Sequence, residues 1–326
     1  MGRVRFHTVS AELGHTHSVR SRHGCLPIAH RETYGLARVT AFAPIEPPVQ
    51  TRRRSASGVV AFAVLVVLQI LLLERYFPGF SDTAAQISPQ FAIAREGLVL
   101  AAVLIPTFLL ALAERRSPLA YGLSGEHRLR YFALGLGWGL TFAALLILCL
   151  IASGHLVFDR RLLSGRSAVG YGLAWVGCFF VVALAEEMLF RGYLQTALSR
   201  LIGFWPAAIA LSALFGLVHL RNSSEVLFGI AVVALGGAFF SLALWRTGSL
   251  WWGIGFHTAW DWSQSFLFGV PDSGILVANR LALTHPVGSA MWSGGSTGPE
   301  ASLLVLPVMG VALLVMSMRL KASRLA

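Results

Sequence analysis

Residues 169–198 read VGYGLAWVGCFFVVALAEEMLFRGYLQTAL, and this stretch decides the fold. The part before Glu186 contains no charged side chain, and the whole stretch exceeds the roughly 20 apolar residues with which an α-helix crosses the hydrocarbon core of a membrane. Glu186, Glu187 and Arg191 then interrupt the apolar run. A charged side chain at mid-membrane costs about 2.5–3.5 kcal/mol on insertion scales. We therefore expect a membrane helix whose charged groups face one another or water.

Seven further apolar runs of similar length accompany this stretch. Hydrophobic residues make up 56% of the chain and charged residues only 13%, whereas a soluble domain has about 25% charged residues. The sequence therefore predicts an all-α, polytopic transmembrane helix bundle of about eight membrane helices, with membrane lipid around it. The other runs cover residues 57–74, 96–113, 131–153, 204–220, 226–245, 250–269 and 301–318.

The runs divide the chain into five regions. We interpret residues 1–56 as a polar, basic N-terminal tail without regular structure, and residues 57–168 as three N-terminal membrane helices. Residues 169–270 form the predicted helix core that carries the buried charges. Residues 271–300 are rich in Gly, Ser and Pro, and we predict an extramembrane loop long enough to lie over the mouth of a site. Residues 301–326 provide the last membrane helix and a short basic tail.

The net charge of +11 comes almost entirely from basic residues outside the apolar runs. With both termini in the cytoplasm, 18 lysines and arginines fall in cytoplasmic segments and seven in external ones, as the positive-inside rule favours. No basic stripe is interleaved with aromatic residues, which argues against a nucleic-acid partner. Because 25 of the 26 basic residues are arginine, a bias that we attribute to genome composition, we expect an integral protein of a bacterial plasma membrane with cytoplasmic N- and C-termini.

Three of the membrane segments carry pairs of residues four positions apart, a spacing that places both members on one face of a helix. Each pair includes a polar side chain, so three helices are predicted to direct polar groups towards one centre. Glu186 projects about 100° away from its neighbour Glu187 and is free to face another group. The pairs are Glu187 with Arg191, Phe215 with His219, and His257 with Asp261.

These residue types indicate hydrolysis inside the membrane. A carboxylate beside an imidazole can remove a proton from water and so produce a nucleophile. A second imidazole, with a further donor, can stabilise the oxyanion of a tetrahedral intermediate. The chain contains no HExxH zinc-binding helix. We therefore predict water activated by Glu and His, and we expect no cofactor.

The three motifs resemble those of the CPBP family, which comprises CAAX prenyl proteases together with bacteriocin-processing and abortive-infection-like proteins. The segment Glu186–Arg191, EEMLFR, is similar to the family's EExxxR motif. Phe215–His219 is similar to its FxxxH motif, and His257–Asp261 to its HxxxN/D motif. The resemblance covers residues 170–268 and implies a glutamate-dependent intramembrane endopeptidase without a metal, which acts on a membrane-associated peptide or protein.

The resemblance also implies a role for each residue. Glu186 would be the general base on the water, and His219 would help to bind and polarise it. His257 and Asp261 would form the oxyanion hole. The prenyl-protease members have Asn where this chain has Asp261, and an ionised Asp cannot donate a hydrogen bond, so Asp261 must be protonated or orient His257 instead. The supporting residues are Glu187, Arg191 and Phe215.

Three other functions remain open at this point. A zinc-dependent membrane hydrolase is one, because two His and a Glu can hold zinc with one position free. A non-catalytic membrane scaffold or immunity protein that retains the motif as structure is another. A transporter is supported only by the buried charges, since no internal repeat is evident.

Overall fold

The first membrane helix begins earlier than the sequence predicts. It starts at Val49, so Arg52, Arg53 and Arg54 lie in its first turns rather than before it. The predicted unstructured tail lies outside the described residues up to position 48, as do the last six residues of the predicted basic tail. A computed structural model describes residues 49–77, 80, 86–222 and 226–320.

Helices account for nearly all of the regular structure. The α-helices are α1 Val49–Tyr76, α2 Pro89–Ala113, α3 Arg128–Ala152, α4 Gly165–Glu187, α5 Tyr193–Ile202, α6 Phe204–Val218, α7 Leu227–Thr247, α8 Trp251–Trp262, α9 Ala290–Ser293 and α10 Val305–Arg319. π-Helical turns follow α4 at Met188–Gly192 and α8 at Ser263–Phe268. Short 3-10 helices span Pro118–Ala120, His219–Arg221 and Pro299–Ala301, and two strands are β1 Leu156–Arg161 and β2 Ala282–Pro286.

Six helical segments among the described residues are long and apolar enough to cross a membrane. The predicted all-α, polytopic membrane fold is confirmed, and the protein is an integral membrane protein. The longest segment, Gly165–Ile202, has 38 residues and contains α4, the first π-helical turn and α5. The two other predicted crossings are shorter helices, since α8 has 12 residues and α10 has 15. On α1, Val64 and Leu71 are 57% and 55% exposed, as expected for side chains that face lipid.

The connections between helices gather at two opposite ends of the bundle. At one end, β1 and β2 form an antiparallel ribbon, and Asn222 donates a hydrogen bond to the carbonyl oxygen of Ser273 at 2.8 Å. We call this the ribbon end. At the other end, Arg200 contacts Glu114 at 2.9 Å, and the backbone N–H of Leu250 donates to Gly122. We call this the Glu114 end; successive connections alternate between the two.

The ribbon was not predicted from the sequence. Its strands come from the connection after α3 and from the segment predicted as a loop, and the register pairs Val157 with His285 and Arg161 with Ala282. All residues of β1 except Leu156 are exposed, so this strand has no buried face that an alternating apolar pattern could reveal. The residues between α8 and α10 are therefore ordered by hydrogen bonds to a distant part of the chain.

Helix α8 is held against α3 through glycines. A Cβ atom on Gly135 or Gly139 would overlap a carbonyl oxygen of α8, and one on Gly255 would overlap the carbonyl oxygen of Phe132 on α3. Small residues four positions apart, as at 135 and 139, allow membrane helices to approach closely. This contact fixes one face of α8 and leaves the His257 side directed at α4 and α7.

Helices α6 and α7 also meet at a glycine. Gly216 lies so close to the carbonyl oxygen of Ile230 that a Cβ atom would be 2.7 Å from it. Gly237 leaves room for the Arg191 side chain, whose Nη2 would be 2.8 Å from a Cβ at that position. The two helices thereby surround the arginine that follows α4.

Candidate active site

The two glutamates of the first motif lie where α4 changes into a π-helical turn. The turn covers Met188–Gly192, and single π turns inside α-helices occur frequently at functional sites. The Glu187 side chain is 1% exposed, whereas that of Glu186 is 27% exposed and lines a cavity. The two adjacent glutamates therefore have opposite surroundings, since Glu187 is closely packed and Glu186 is open to the cavity.

Glu187 and Arg191 form an ion pair within the bundle. Nη1 of Arg191 donates to Oε1 of Glu187 at 3.2 Å, and both side chains are 1% exposed. The guanidinium lies 4.4 Å from the ring centre of Phe215 and 5.6 Å from those of Phe190 and Phe240. Within the described part of the chain, Nε and Nη2 make no hydrogen bond, and the surrounding ring faces supply further favourable contacts of the cation.

His257 is the centre of the candidate site because carboxylates approach both of its ring nitrogens. Nε2 lies 3.6 Å from Oε2 of Glu186 and 3.5 Å from Oδ2 of Asp261. Nδ1 lies 3.5 Å from Oε1 of Glu187. The imidazole is stacked on the ring of Phe240 with centroids 5.1 Å apart, which fixes its plane. Three carboxylates from α4 and α8 thus share one imidazole.

His219 reaches the site from a different direction. It follows the last residue of α6, and its Nδ1 lies 2.8 Å from the carbonyl oxygen of Phe215. A proton on Nδ1 satisfies that carbonyl and leaves Nε2 of a neutral ring as an acceptor. The Phe215 ring separates the two histidines, 4.9 Å from His219 and 6.4 Å from His257 between centroids. Among the described residues, no carboxylate lies within 4.0 Å of His219.

All four predicted catalytic residues line one cavity of about 290 Å³. Glu186 and Asp261 each contact His257 there, while His219 lines the cavity and has no carboxylate within 4.0 Å among the described residues. Phe215 also lines the cavity, whereas Glu187 and Arg191 lie behind it. The structure therefore brings the motif residues around one space, but it places the nearest imidazole to Glu186 on α8 rather than on α6.

The segment 269–304 contributes polar residues to this cavity that the sequence interpretation missed. They are Asp272, Ser273 and Glu300. One signal was available in the sequence, because Asp272 and Glu300 are the only acidic residues after Asp261. Nothing local in the chain indicates that either residue returns to the site.

The cavity is rich in carboxylates. Arg95 and Glu96 line it as a pair with atoms 2.6 Å apart, so the arginine is already neutralised. In the segment 269–304, desolvation and the nearby Asp261 and Glu300 carboxylates raise the pKa of Asp272 above its usual range.

The described residues do not assemble a metal centre. No group of three or more His, Cys, Asp or Glu side chains among them is arranged to hold an ion. The zinc alternative requires Glu186, His219 and His257 around one ion, but the ion pairs of the described residues include none between His219 and Glu186.

Residues 168–263 match the family model described as type II CAAX prenyl endopeptidase Rce1-like. This segment is therefore similar to the CAAX protease family. The matched segment runs from α4 to the first residue after α8, and it contains every residue predicted for the site. Asp272 and Glu300 lie beyond it. No curated protein and no solved structure gave a significant match to the chain.

Proposed function

We propose that this protein, which is similar to CAAX proteases over residues 168–263, is an intramembrane endopeptidase that hydrolyses a peptide bond of a membrane-associated substrate with water activated by Glu186. One observation carries the proposal. The Glu186 carboxylate is open to the cavity, has no Lys or Arg within 4.0 Å among the described residues, and lies 3.6 Å from an imidazole. A carboxylate without a cationic partner, next to a hydrogen-bond donor and facing a cavity, is what general-base hydrolysis requires.

In the proposed reaction, Glu186 takes a proton from a water molecule as the water oxygen forms a bond to the carbonyl carbon of the substrate. The resulting tetrahedral intermediate carries a negative charge on the former carbonyl oxygen. When the C–N bond breaks, Glu186 returns the proton to the leaving amine. The carboxylate is thereby regenerated, and the products are a new carboxyl terminus and a new amino terminus.

The two histidines have different roles in this proposal. His257 donates from Nε2 to the oxyanion, and Glu187, whose Oε1 lies 3.5 Å from Nδ1, orients the ring from the other side. Asp261, whose Oδ2 lies 3.5 Å from the same Nε2, is protonated in this proposal and donates to the oxyanion as well. His219 accepts from the attacking water through Nε2, because its Nδ1 is engaged by the carbonyl oxygen of Phe215. The water then lies between α4 and α6, and the substrate carbonyl lies towards α8.

The direct test compares membrane peptides from cells that express the wild-type protein or Glu186→Gln. The substitution keeps the size of the side chain and removes its basicity. A fragment that appears with wild type and not with Glu186→Gln supports proteolysis and identifies the substrate. Glu126→Gln, at an exposed glutamate of the Glu114 end, is the matched control and should leave the fragments unchanged.

Two outcomes favour the other functions. Identical peptides from wild type and Glu186→Gln, at equal expression, would support a scaffold or immunity protein. Loss of cleavage in a chelator, with recovery on adding zinc, would support a zinc hydrolase.

We also propose that the Glu114 end faces the cytoplasm of a bacterial plasma membrane and that the cavity faces outwards at the ribbon end. The distribution of arginines supports this orientation, and the cavity includes residues of the segment 269–304, which lies at the ribbon end. In a protein without other cysteines, His285→Cys should react with an impermeant maleimide in intact cells, whereas Glu126→Cys should react only after permeabilisation. The reverse pattern would invert the orientation.

A further inference from the structure

The segment 269–304 is attached to the helix bundle at several points around the cavity. Its Ala278 N–H donates to the carbonyl oxygen of Ile87 at 2.9 Å, and the N–H of Ile87 donates to Leu276 at 3.2 Å. Ser273 accepts from Asn222, which lies just beyond His219. Strand β2 pairs with β1. The segment is therefore a strap that crosses the cavity at the ribbon end, and we call it the strap.

Glu300 joins the strap to the helix that carries His257 and Asp261. Its Oε1 accepts hydrogen bonds from Nε1 of Trp260 at 2.5 Å and from Nε2 of Gln264 at 3.2 Å. Its Oε2 accepts from Oγ of Ser273 at 3.0 Å. No Lys or Arg lies within 4.0 Å of this carboxylate among the described residues. The negative charge is thus held by three neutral donors, and hydrogen bonds to a charged group are stronger than those between neutral groups.

The two donors on the helix side flank Asp261. Trp260 precedes it, and its ring is stacked on Phe256 with centroids 5.9 Å apart. Gln264 follows in the π-helical turn and is 0% exposed. A single carboxylate therefore fixes the helix on both sides of Asp261, from an element distant in sequence.

We propose that Glu300 is a positioning residue, whose carboxylate clasps the strap onto α8 and thereby closes the cavity and holds His257 and Asp261 in place. The effect on catalysis rests on the proposed function, but the closure of the cavity does not. Admission of a substrate then requires the three hydrogen bonds of Glu300 to open.

Cys178 provides a reporter of closure that is independent of catalysis. It is 1% exposed, lines the cavity and packs in one apolar cluster with Val277 of the strap. The chain has three cysteines, so replacing Cys25 and Cys149 with serine leaves Cys178 as the single thiol. Its rate of reaction with N-ethylmaleimide then measures how often the cavity opens, because local opening exposes the group.

The experiment compares Glu300→Ala with Glu300→Gln in this background. Glu300→Ala removes both acceptor oxygens and with them all three hydrogen bonds. We expect Cys178 to react about tenfold faster, since a hydrogen bond to a charged group contributes on that order. Glu300→Gln keeps an oxygen for Trp260 and Gln264, and its amide can donate to the Ser273 hydroxyl. We expect it to restore most of the closure. Asp159→Asn, which alters the exposed contact between Asp159 and His285 in the ribbon, is the control and should leave the rate unchanged.

A milder variant covers the case in which Glu300→Ala fails to fold. Trp260→Phe removes one donor and keeps an aromatic ring at that position, so the rate should rise by less than in Glu300→Ala. Wild-type rates in both variants would overturn the proposal. Equal acceleration by Glu300→Gln and Glu300→Ala would also overturn it, because the charge rather than the hydrogen bonds would then matter.

A proteolysis assay separates this inference from the proposed function. If the strap opens in Glu300→Ala and Glu186→Gln still cleaves like wild type, the proposed mechanism fails while the clasp stands. If Glu186→Gln abolishes cleavage and Glu300→Ala neither exposes Cys178 nor changes kcat or KM, the clasp fails while the mechanism stands.

Discussion

His257 separates two regions that each contain a glutamate, one of them buried and paired and the other open to the cavity. Behind the ring, Glu187 and Arg191 are paired and 1% exposed, and aromatic rings enclose the cation. In front of it, Glu186 faces the cavity without a cationic partner among the described Lys and Arg residues. Because the two glutamates are adjacent in sequence, the difference shows that burial and pairing, rather than residue type, decide which one is available for chemistry.

The largest effect should come from removing the base on the open side. Glu186→Gln should reduce proteolysis about 10²–10⁴-fold, the usual contribution of a general base. It should change the free energy of unfolding by less than about 1 kcal/mol, because the side chain is partly exposed and has no Lys or Arg partner. Cleavage rates and unfolding in detergent, measured on the same preparation, check both statements. A large loss of stability would mean that the open side is structural as well.

Breaking the Glu187–Arg191 pair should have the opposite effect, because it should mainly reduce stability. Arg191→Met leaves Glu187 buried without its cation, and the loss of one partner of a buried pair costs about 3–5 kcal/mol. The double variant Glu187→Gln/Arg191→Met removes the unpaired charge and should recover part of that stability. The free energies of unfolding of the two variants, measured in detergent, give the difference. Equal stability of Arg191→Met and wild type would contradict the proposed division of the site.

A shift of α8, the helix that carries His257 between the two regions, should give a smaller effect. In Gly139→Ala the new methyl group would overlap the carbonyl oxygen of Phe256, so α8 must shift, at a cost of about 1–3 kcal/mol. Gly137→Ala is the matched control, since a Cβ there meets nothing within 4 Å. Activity and the free energy of unfolding should both fall in Gly139→Ala and stay at wild-type values in Gly137→Ala. Similar results for both variants would show that the close contact does not position His257.

In the two regions beside His257, the features that were predictable from the sequence depend on residues close together along the chain. The apolar runs predicted the membrane helices, and the four-residue spacing of Glu187 and Arg191 predicted their pairing, because both depend on neighbours along one helix. Contacts across the bundle have no such signature. The strap, with Glu300, reaches the site through hydrogen bonds to distant residues, and the Phe215 ring lies between His219 and His257.

The smallest effect concerns a carboxylate outside the membrane segments, which contrasts with Glu187. Glu114 accepts hydrogen bonds from Tyr193 at 2.8 Å, Arg200 at 2.9 Å and Tyr121 at 3.2 Å. Desolvation opposes its ionisation, but these donors and the Arg200 charge prevail and lower its pKa. Since the folded pKa lies below the unfolded one, the stabilisation is present above the unfolded pKa of about 4.5 and is lost as the pH falls through the folded value.

Glu114→Gln should therefore destabilise the protein at pH 7 by about 1 kcal/mol, because a partly exposed group is screened by solvent. The difference from wild type should diminish as the pH falls through the lowered pKa of Glu114, because the protonated group no longer carries the charge that Arg200 contacts. Unfolding in detergent at a series of pH values measures this convergence. A difference that stays constant with pH would mean that the hydrogen bonds of Glu114, and not its charge, hold the Glu114 end together, as they are proposed to do for Glu300 at the ribbon end.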